Sequence, residues 1–208
     1  LVVFGMPTYA GKLPNKLLDF VKSGFHGNGA LAVPVVTFGN RSFDNSLAEL
    51  CACLEGDGFH TIGAGAFACR HAFTDALADG RPDSDDMAEL ARLGSAVVGR
   101  IVKMTQYPAP VTVDGDADAP YYRPLGLDGE PKVFLKAKPK TDPDKCIRCG
   151  VCASLCPMGS INPDDVSEVT GVCIKCHSCV RNCPMGAKYF DDPAFLSHRA
   201  MLERDYTR

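Results

Sequence analysis

This chain of 208 residues has no excess of basic residues, no long apolar run and no visible targeting segment. Its formal net charge is −3 at pH 7, so it lacks the basic footprint that nucleic-acid-binding proteins show. No apolar stretch approaches the roughly 20 residues that a membrane-spanning helix needs. We therefore expect neither a nucleic-acid partner nor a membrane span, and the absence of an export signal indicates a cytoplasmic protein.

Patterns typical of common enzymes are also missing. No Ser/His/Asp or paired-carboxylate arrangement stands out, so no residue is predicted to be catalytic. The stretch Gly63-Ala64-Gly65 is too weak a match to the dinucleotide fingerprint to indicate a nicotinamide site. An initiator Met is absent too. Because the chain opens on apolar residues that predict a buried strand, Leu1 to Phe4, we expect it to begin inside a domain.

Cysteine is what the sequence has in abundance. Eight of its eleven cysteines fall in two runs of the form C-x-x-C-x-x-C-x-x-x-C-P, the pattern of bacterial ferredoxins with two [4Fe–4S] clusters. Corresponding cysteines of the two runs are 27 residues apart, so the runs form an internal repeat. The predicted ligands are Cys146, Cys149, Cys152 and Cys156 in the first run and Cys173, Cys176, Cys179 and Cys183 in the second.

The spacing also predicts how these thiolates are shared. Three cysteines at two-residue intervals can wrap one cluster within a tight loop, whereas the fourth is carried away from that loop and ligates the other cluster. Pro157 and Pro184 follow the fourth cysteines and cut short any helix there. One predicted set is therefore Cys146, Cys149, Cys152 and Cys183, and the other is Cys173, Cys176, Cys179 and Cys156.

Zinc and disulfides are the alternatives to iron–sulfur clusters. Structural zinc takes four ligands, often from two C-x-x-C pairs, and this does not explain a third cysteine two residues on or a fourth before proline. Disulfides are disfavoured because no export signal is visible and because cysteines at this spacing are poorly placed to pair within their loops. Three cysteines lie outside the runs, and we interpret them as buried apolar side chains: Cys51, Cys53 and Cys69.

The first half of the chain, residues 1–104, alternates between strands and helices, which predicts a parallel sheet with right-handed crossovers. Strands are expected at Leu1 to Phe4, Leu31 to Phe38 and Phe59 to Ala68. Helices are expected from about Pro14, Asp44 and Asp83. Pro34 is unusual in a strand and indicates either its start or a bulge.

The second half divides into three segments. Residues 105–141 contain six prolines and are predicted to form an extended linker lying along the first domain, with Tyr121 and Tyr122 packed against it. The ferredoxin module is expected over 142–190. A short helix is predicted in 191–208, opening at Asp192-Pro193. The expected fold class is therefore α/β followed by a small α+β module.

The motifs P-T-Y-A-G at 7–11, F-G-N-R at 38–41 and P-M-G-A-K-Y-F-D-D-P at 184–193 accompany the cysteine repeat. With them, the whole chain resembles the fused flavodoxin–ferredoxin proteins of anaerobic bacteria and archaea. The resemblance implies FMN in the first domain, held at a switch point of a sheet with strand order 2-1-3-4-5. It equates this chain's three strands with strands 3–5 of that fold.

The resemblance also implies flavin contacts in two loops, 6–11 and 38–41. Tyr9 would stack on the isoalloxazine ring, and backbone N–H groups near Thr8, Gly39 and Asn40 would bond its edge. As alternatives, Tyr9 is an ordinary turn aromatic covering the core, and His71, which could move protons near a flavin, is an ordinary packed histidine.

The sequence departs from this family at its start. Strands 1 and 2 of the flavodoxin fold are missing, together with the loop that grips the FMN phosphate, so the resemblance implies an N-terminally incomplete chain with an apolar edge on its first strand. The leading hypothesis is electron transfer between redox partner proteins through two clusters, coupled to FMN in the intact protein. The competing hypotheses are a flavin-dependent reductase of a small substrate, which would make the protein an iron–sulfur flavoprotein oxidoreductase, and an electron-carrier subunit whose first domain only docks.

Overall fold

The computed structural model describes residues 1–207, which form two compact units. The first unit consists of Leu1–His71, Asp75–Arg123 and the two residues after Asp205. The second consists of Ala72–Thr74 and Pro124–Asp205. Each unit has its own core, so each is described separately. Residues 105–141, predicted as one linker, are divided between the two units at Arg123.

The first unit is built on a parallel sheet with β2 at its centre. β1 (Val2–Pro7) pairs with β2 (Leu31–Phe38) along its whole length. On the other side, β2 pairs with β3 (His60–Thr61) and then with β4 (Gly65–Ala68), so these two short strands share the third position. The predicted mixed α/β class with a parallel sheet is confirmed, and the strand order is compatible with strands 3–5 of a flavodoxin-like sheet.

The single strand expected over Phe59 to Ala68 is instead broken into two pieces, and Pro34 of β2 accounts for the break. Backbone groups of even-numbered residues in β2 face β3 and β4: the carbonyl of Ala32 accepts from Ile62 N and that of Phe38 from Cys69 N. Pro34 shares this orientation but has no N–H to donate. The hydrogen-bonded pairing of β2 is therefore interrupted at Pro34, between the residues that pair with β3 and those that pair with β4.

Helices cover both faces of this sheet. α1 (Asn15–Ser23) and α2 (Ser46–Gly56) bury Val21, Leu50 and Leu54 against β2 in the larger core. α3 (Ser84–Lys103) packs on the opposite face through Val97, which contacts Val33 and Ile62 in a smaller core. α3 also leaves apolar side chains uncovered, since Met87, Leu90 and Val98 are exposed. None of the helices in residues 1–207 combines the length and apolar character needed to cross a membrane.

α3 begins at a capping box. The Asp83 carboxylate accepts from the N–H groups of Asp85 and Asp86, and the Asp86 carboxylate accepts from Asp83 N. Arg81 donates to both oxygens of Asp86. This hydrogen-bonded ion pair lowers the pKa of Asp86 to about 2. The acidic first turn of α3 is therefore tied to a specific cation.

A buried ion pair fixes residues 105–123 to the first unit. Lys12 Nζ lies 3.0 Å from Glu49 Oε1, and both side chains are 6% exposed. Lys12 also donates to the carbonyls of Ala117 and Ala119, at 2.5 and 3.0 Å. Glu49 accepts from Leu13 N at 2.8 Å. Every group of the pair is thus bonded, as buried charges require.

Two tyrosines complete this attachment. Tyr121 Oη donates to Leu13 O, and Tyr122 N donates to Ala10 O, both at 2.8 Å. The Arg41 guanidinium lies 3.9 Å from the centre of the Tyr122 ring, within cation–π range. Tyr121 and Tyr122 therefore attach this segment to the loop that follows β1.

The second unit has little regular structure besides one long helix. β5 (Lys140–Thr141) and β6 (Lys188–Tyr189) form an antiparallel pair. α4 (Val151–Ser154) and α5 (Ser178–Arg181) each begin two residues after the second cysteine of a run and contain the third, Cys152 and Cys179. α6 (Pro193–Tyr206) is longer than the short helix predicted, and it buries Phe195, His198, Met201 and Leu202.

Candidate iron–sulfur site

The eight cysteines of the two runs lie around two cavities in the second unit, four at each. In both cavities, three cysteines come from one run and the fourth comes from the other. We call the cavities the first site and the second site. The first site is lined by Cys146, Cys149, Cys152 and Cys183, and the second by Cys173, Cys176, Cys179 and Cys156. These are the two sets that the crossed arrangement predicts.

The sequence repeat is also a repeat of backbone conformation. α4 and α5 start 27 residues apart, as do three pairs of residues with positive φ. Such φ values turn the chain sharply and direct successive N–H groups toward one point, so each loop can wrap around a compact group. The φ values are 55° and 56° at Arg148 and Lys175, 75° and 59° at Gly150 and His177, and 57° and 59° at Gly159 and Gly186.

Backbone N–H groups donate to the cysteine sulfurs. Ser160 N lies 3.4 Å from Cys156 Sγ, and Ala187 N, its counterpart in the repeat, lies 3.2 Å from Cys183 Sγ. Lys175 N lies 3.4 Å from Cys173 Sγ. Hydrogen bonds of this kind stabilise negative charge on sulfur and tune the potential of an iron–sulfur cluster.

Burial and hydrogen bonding act in opposite directions on the thiols. Burial raises the pKa of Cys179 to about 11 and also raises the pKa of Cys152 and Cys173. For Cys183, burial acts in the same direction, but backbone N–H groups led by that of Ala187 outweigh it, and the pKa is lowered. Cys152, Cys173 and Cys179, whose pKa values are raised, must lose their protons to become thiolate ligands. Metal binding is therefore linked to proton release.

An aromatic cluster covers one side of the second site, and sequence reasoning missed it. His177 is 5% exposed and stacks on Phe190, with ring centres 4.6 Å apart. Phe73 and Phe195 lie at 5.1 and 5.4 Å from the same ring. The signal available in the sequence was the departure from glycine at position 177 of the repeat, where the first run has Gly150.

Lys188 is a second residue that sequence reasoning missed. Its side chain is buried, lines the first site and donates to Val166 O. Its charge acts on thiols of both sites by lowering the pKa of Cys152 and Cys179, although burial outweighs this effect. A buried cation here can offset negative charge in both cavities.

The residues implied as flavin contacts lie at the carboxyl ends of β1 and β2, and the structure shows several of their groups engaged. Thr8 N donates to Thr37 O at 2.8 Å, and its hydroxyl lies 2.7 Å from Ser46 Oγ. Tyr9 N donates to Lys12 O at 2.8 Å. The N–H groups of Thr8 and Tyr9 are therefore used within the first unit.

The second implied loop is similarly engaged. Asn40 Nδ2 donates to Tyr206 O at 2.8 Å. Gly39 lies against His71, since a Cβ at Gly39 would overlap the imidazole ring. His71 is thus placed beside the loop 38–41. Of the backbone N–H groups implied as flavin donors, that of Thr8 is used within the first unit, whereas the hydrogen bond of Asn40 is made by its side chain.

Comparison with known families places the chemistry in the second unit. Two family models, each described as a 4Fe-4S binding domain, match residues 139–162 and 170–186. Each match contains one complete run of cysteines. No curated protein matches the chain.

The matches and the paired cavities show a 4Fe-4S ferredoxin module in the second unit. The prediction of a ferredoxin module is confirmed, and so is its chemistry: [4Fe–4S] clusters and electron transfer. The flavodoxin-like identity of the first unit and its FMN are predictions that the family matches do not address.

Proposed function

We propose that the protein carries single electrons between redox partner proteins, through one [4Fe–4S] cluster at the first site and one at the second. The observation that carries this proposal is the grouping of the cysteines, four around each of two cavities. A cubane takes one thiolate at each of its four irons, so each cavity supplies one complete ligand set.

The spread of the ligands supports a cluster over zinc. At a zinc–sulfur distance of about 2.3 Å, four tetrahedral sulfurs lie roughly 3.8 Å apart. Within residues 1–207, no group of three or more His, Cys, Asp or Glu side chains is close enough to hold one metal ion. A cubane makes no such demand, because it takes its four thiolates on four separate irons.

The chain's own residues set the conditions for electron transfer. Each cluster, when bound, supplies a one-electron redox centre. Buried side chains such as Ile161 and Val166 keep water from the cavities, and the N–H groups of Ser160 and Ala187 stabilise charge on the ligand sulfurs. Lys188 adds a positive charge beside both sites. These groups control the reduction potential, since the redox chemistry belongs to the clusters.

Analysis of anaerobically purified protein tests the proposal. We expect about eight irons and eight acid-labile sulfides per chain, from two cubanes. Reduction should give the electron paramagnetic resonance spectrum of two interacting [4Fe–4S]⁺ centres. Material that instead contains one or two zinc ions and no labile sulfide would show that the cysteine sites serve another metal.

Coupling to FMN in the first unit is a second candidate function. It is supported by the parallel sheet order, with β2 between β1 and the β3–β4 position, and by the resemblance of residues 7–11 and 38–41 to flavodoxin loops. The hydrogen bond from Thr8 N to Thr37 O opposes it for the chain as it stands, because that donor is already used. If a flavin is present, a small substrate reduced there would make the protein a flavin-dependent reductase. If none is, the first unit is better explained as a docking domain.

Flavin content separates these alternatives. The supernatant of heat-denatured protein should be analysed for FMN by chromatography, using the chain together with whatever residues precede Leu1 in the cell. One FMN per chain, followed by turnover with dithionite, supports the reductase. A flavin-free protein with both clusters supports the docking alternative.

A further inference from the structure

The two sites repeat in sequence but differ in exposure. Cys149 is the only one of the eight cysteines that is exposed, whereas its counterpart Cys176 is partly buried. Ile147, two residues before Cys149, is 62% exposed, whereas its counterpart Ile174 is partly buried. The loop of the first site is therefore open to solvent where the equivalent loop of the second site is not.

Neighbouring residues explain why the second loop is covered. Lys175 Nζ donates to Leu135 O at 3.0 Å, which holds the segment before β5 over the loop. Burial lowers the pKa of Lys175, consistent with this covering. On the adjacent side, His177 packs among Phe73 and Phe190. In the first loop, Arg148 takes the place of Lys175 and is exposed.

The open loop of the first site is bordered by apolar side chains. Pro184 is exposed and Met185 is 46% exposed, and both follow the fourth ligand of this site, Cys183. Together with Ile147 they form a rim around Cys149. Exposed apolar groups clustered in this way mark interaction sites on protein surfaces. We call Ile147, Arg148, Pro184 and Met185 the port surface.

The port surface has one charge. Across residues 147–151 and 184–186, Arg148 is the only charged residue. Lys145, just outside, is paired with Asp142 at 3.2 Å. Asp165 is one acid on which Arg148 acts: hydrogen bonds from Ser167 lower its pKa most, and Arg148 adds to the effect. A partner that covers this surface should therefore present an apolar patch with a carboxylate facing Arg148.

We propose that the first site is the port through which this chain exchanges electrons with an acidic one-electron redox protein, which docks on the port surface. One electron leaves the reduced first site and reduces the partner's centre, with no bond made or broken. The second site, covered on the corresponding side, passes its electron through the first. This inference rests on the proposed function, because it requires clusters at both sites.

Two methionines in the repeat provide a matched test. Met185 is part of the port surface and lies two residues after Cys183. Met158 has the same position in the first run, two residues after Cys156. Their exposed fractions are 46% and 39%, so aspartate is tolerated equally well at both. The assay is stopped-flow oxidation of the dithionite-reduced protein by oxidised rubredoxin, an acidic one-electron redox protein, at several salt concentrations.

We expect Met185→Asp to lower the second-order rate constant about tenfold and Met158→Asp to leave it unchanged. Arg148→Glu should lower the rate constant similarly, and that rate constant should no longer fall as the salt concentration rises. Arg148→Lys should keep both the wild-type rate constant and its fall with salt. The potentials of both clusters are measured by voltammetry in each methionine variant, so that an effect on docking is separated from an effect on driving force.

If Met158→Asp and Met185→Asp lowered the second-order rate constant equally, the assignment of the first site as the port would be wrong. A wild-type rate constant that does not fall with salt would contradict it too. Iron and sulfide are measured in every variant. A chain that never contains labile sulfide overturns the proposed function itself. A chain with both clusters but no difference between the two methionine variants overturns only the assignment of the port.

Discussion

Cys183 lies beside Cys146 at the first site, although in sequence it belongs to the run that begins at Cys173. Cys156 makes the reverse exchange and lies beside Cys173, where it adds to the effect of burial in raising the pKa of that thiol. The exchange follows from chain direction, because α4 and α5 carry the chain away from the loops that precede them. Each site therefore depends on both runs, so neither half of the repeat can build a site alone.

Crossed ligation predicts which alanine variants should resemble each other. Cys156→Ala and Cys176→Ala should both lose the cluster of the second site and keep that of the first. Cys183→Ala and Cys149→Ala should do the opposite. Each variant should retain about four irons. The residual cluster is identified by its reduction potential and its electron paramagnetic resonance spectrum after anaerobic reconstitution.

The pairing of the spectra is decisive because it needs no prior assignment of signals. If Cys156→Ala instead matched Cys149→Ala, the two runs would be independent four-cysteine sites and the crossed arrangement would be wrong. Cys51→Ala serves as a control outside the runs, since its thiol is buried in the core of the first unit. That variant should retain about eight irons.

The charge of Lys188 should raise the potentials of both clusters. Reduction adds negative charge, which a buried cation stabilises. Replacement by methionine, Lys188→Met, should therefore shift both midpoint potentials in the negative direction. A loss of about 1 kcal/mol of interaction corresponds to roughly 40 mV for a one-electron couple. Protein-film voltammetry measures both shifts.

Lys138→Met is the matched control for this variant. Lys138 also donates to a backbone carbonyl, Val169 O at 2.6 Å, but its side chain is exposed. Water and salt screen an exposed charge, so this substitution should leave the potentials nearly unchanged. Equal shifts in the two variants, or none in Lys188→Met, would rule out the proposed effect of Lys188.

The cysteine sites were predictable because cluster chemistry dictates ligand spacing. The same eight residues that the pattern C-x-x-C-x-x-C-x-x-x-C-P selects are found around the cavities. The alternation of strands and helices similarly predicted the parallel sheet. In both cases the signal lies in residues near each other in sequence.

Features that depend on distant contacts were not predictable. The break between β3 and β4 depends on Pro34, a residue of another strand. Tyr121 and Tyr122 were expected to attach the linker to the first domain, but the hydrogen bonds from Lys12 were not, because Lys12 lies more than 100 residues before the carbonyls it binds. The unequal exposure of the two sites depends on Leu135 and Phe73, which no repeat pattern identifies.

The buried pair of Lys12 and Glu49 should be important for the stability of the first unit. Glu49→Gln removes one charge and leaves Lys12 buried without its partner, which costs roughly 3–5 kcal/mol. The double variant Lys12→Met/Glu49→Gln should be more stable than Glu49→Gln, because no unpaired charge remains. Urea unfolding followed by far-ultraviolet circular dichroism measures both.

Asp75→Asn is the control, because Asp75 pairs with Arg70 at the surface, with side chains 69% and 47% exposed. Exposed pairs contribute about 0–1 kcal/mol. The role of the buried pair would be disproved if Glu49→Gln were no more destabilising than Asp75→Asn.

The ion pair at the start of α3 should make stability depend on pH in acid. Arg81 lowers the pKa of Asp86 from 3.8 to about 2 in the folded protein. A lowered carboxyl pKa stabilises the fold above the unfolded value, and this stability is lost as pH falls through the folded value. Wild-type protein should therefore exceed Asp86→Asn in stability at pH 7, with the difference shrinking between about pH 4 and pH 2. Urea unfolding at intervals across this range measures the difference. The control is Asp85→Asn, which removes a charge from the exposed neighbouring position and should differ less from wild type in its free energy of unfolding. If the difference between wild type and Asp86→Asn stayed constant down to pH 2, the Arg81 contact would not stabilise the helix.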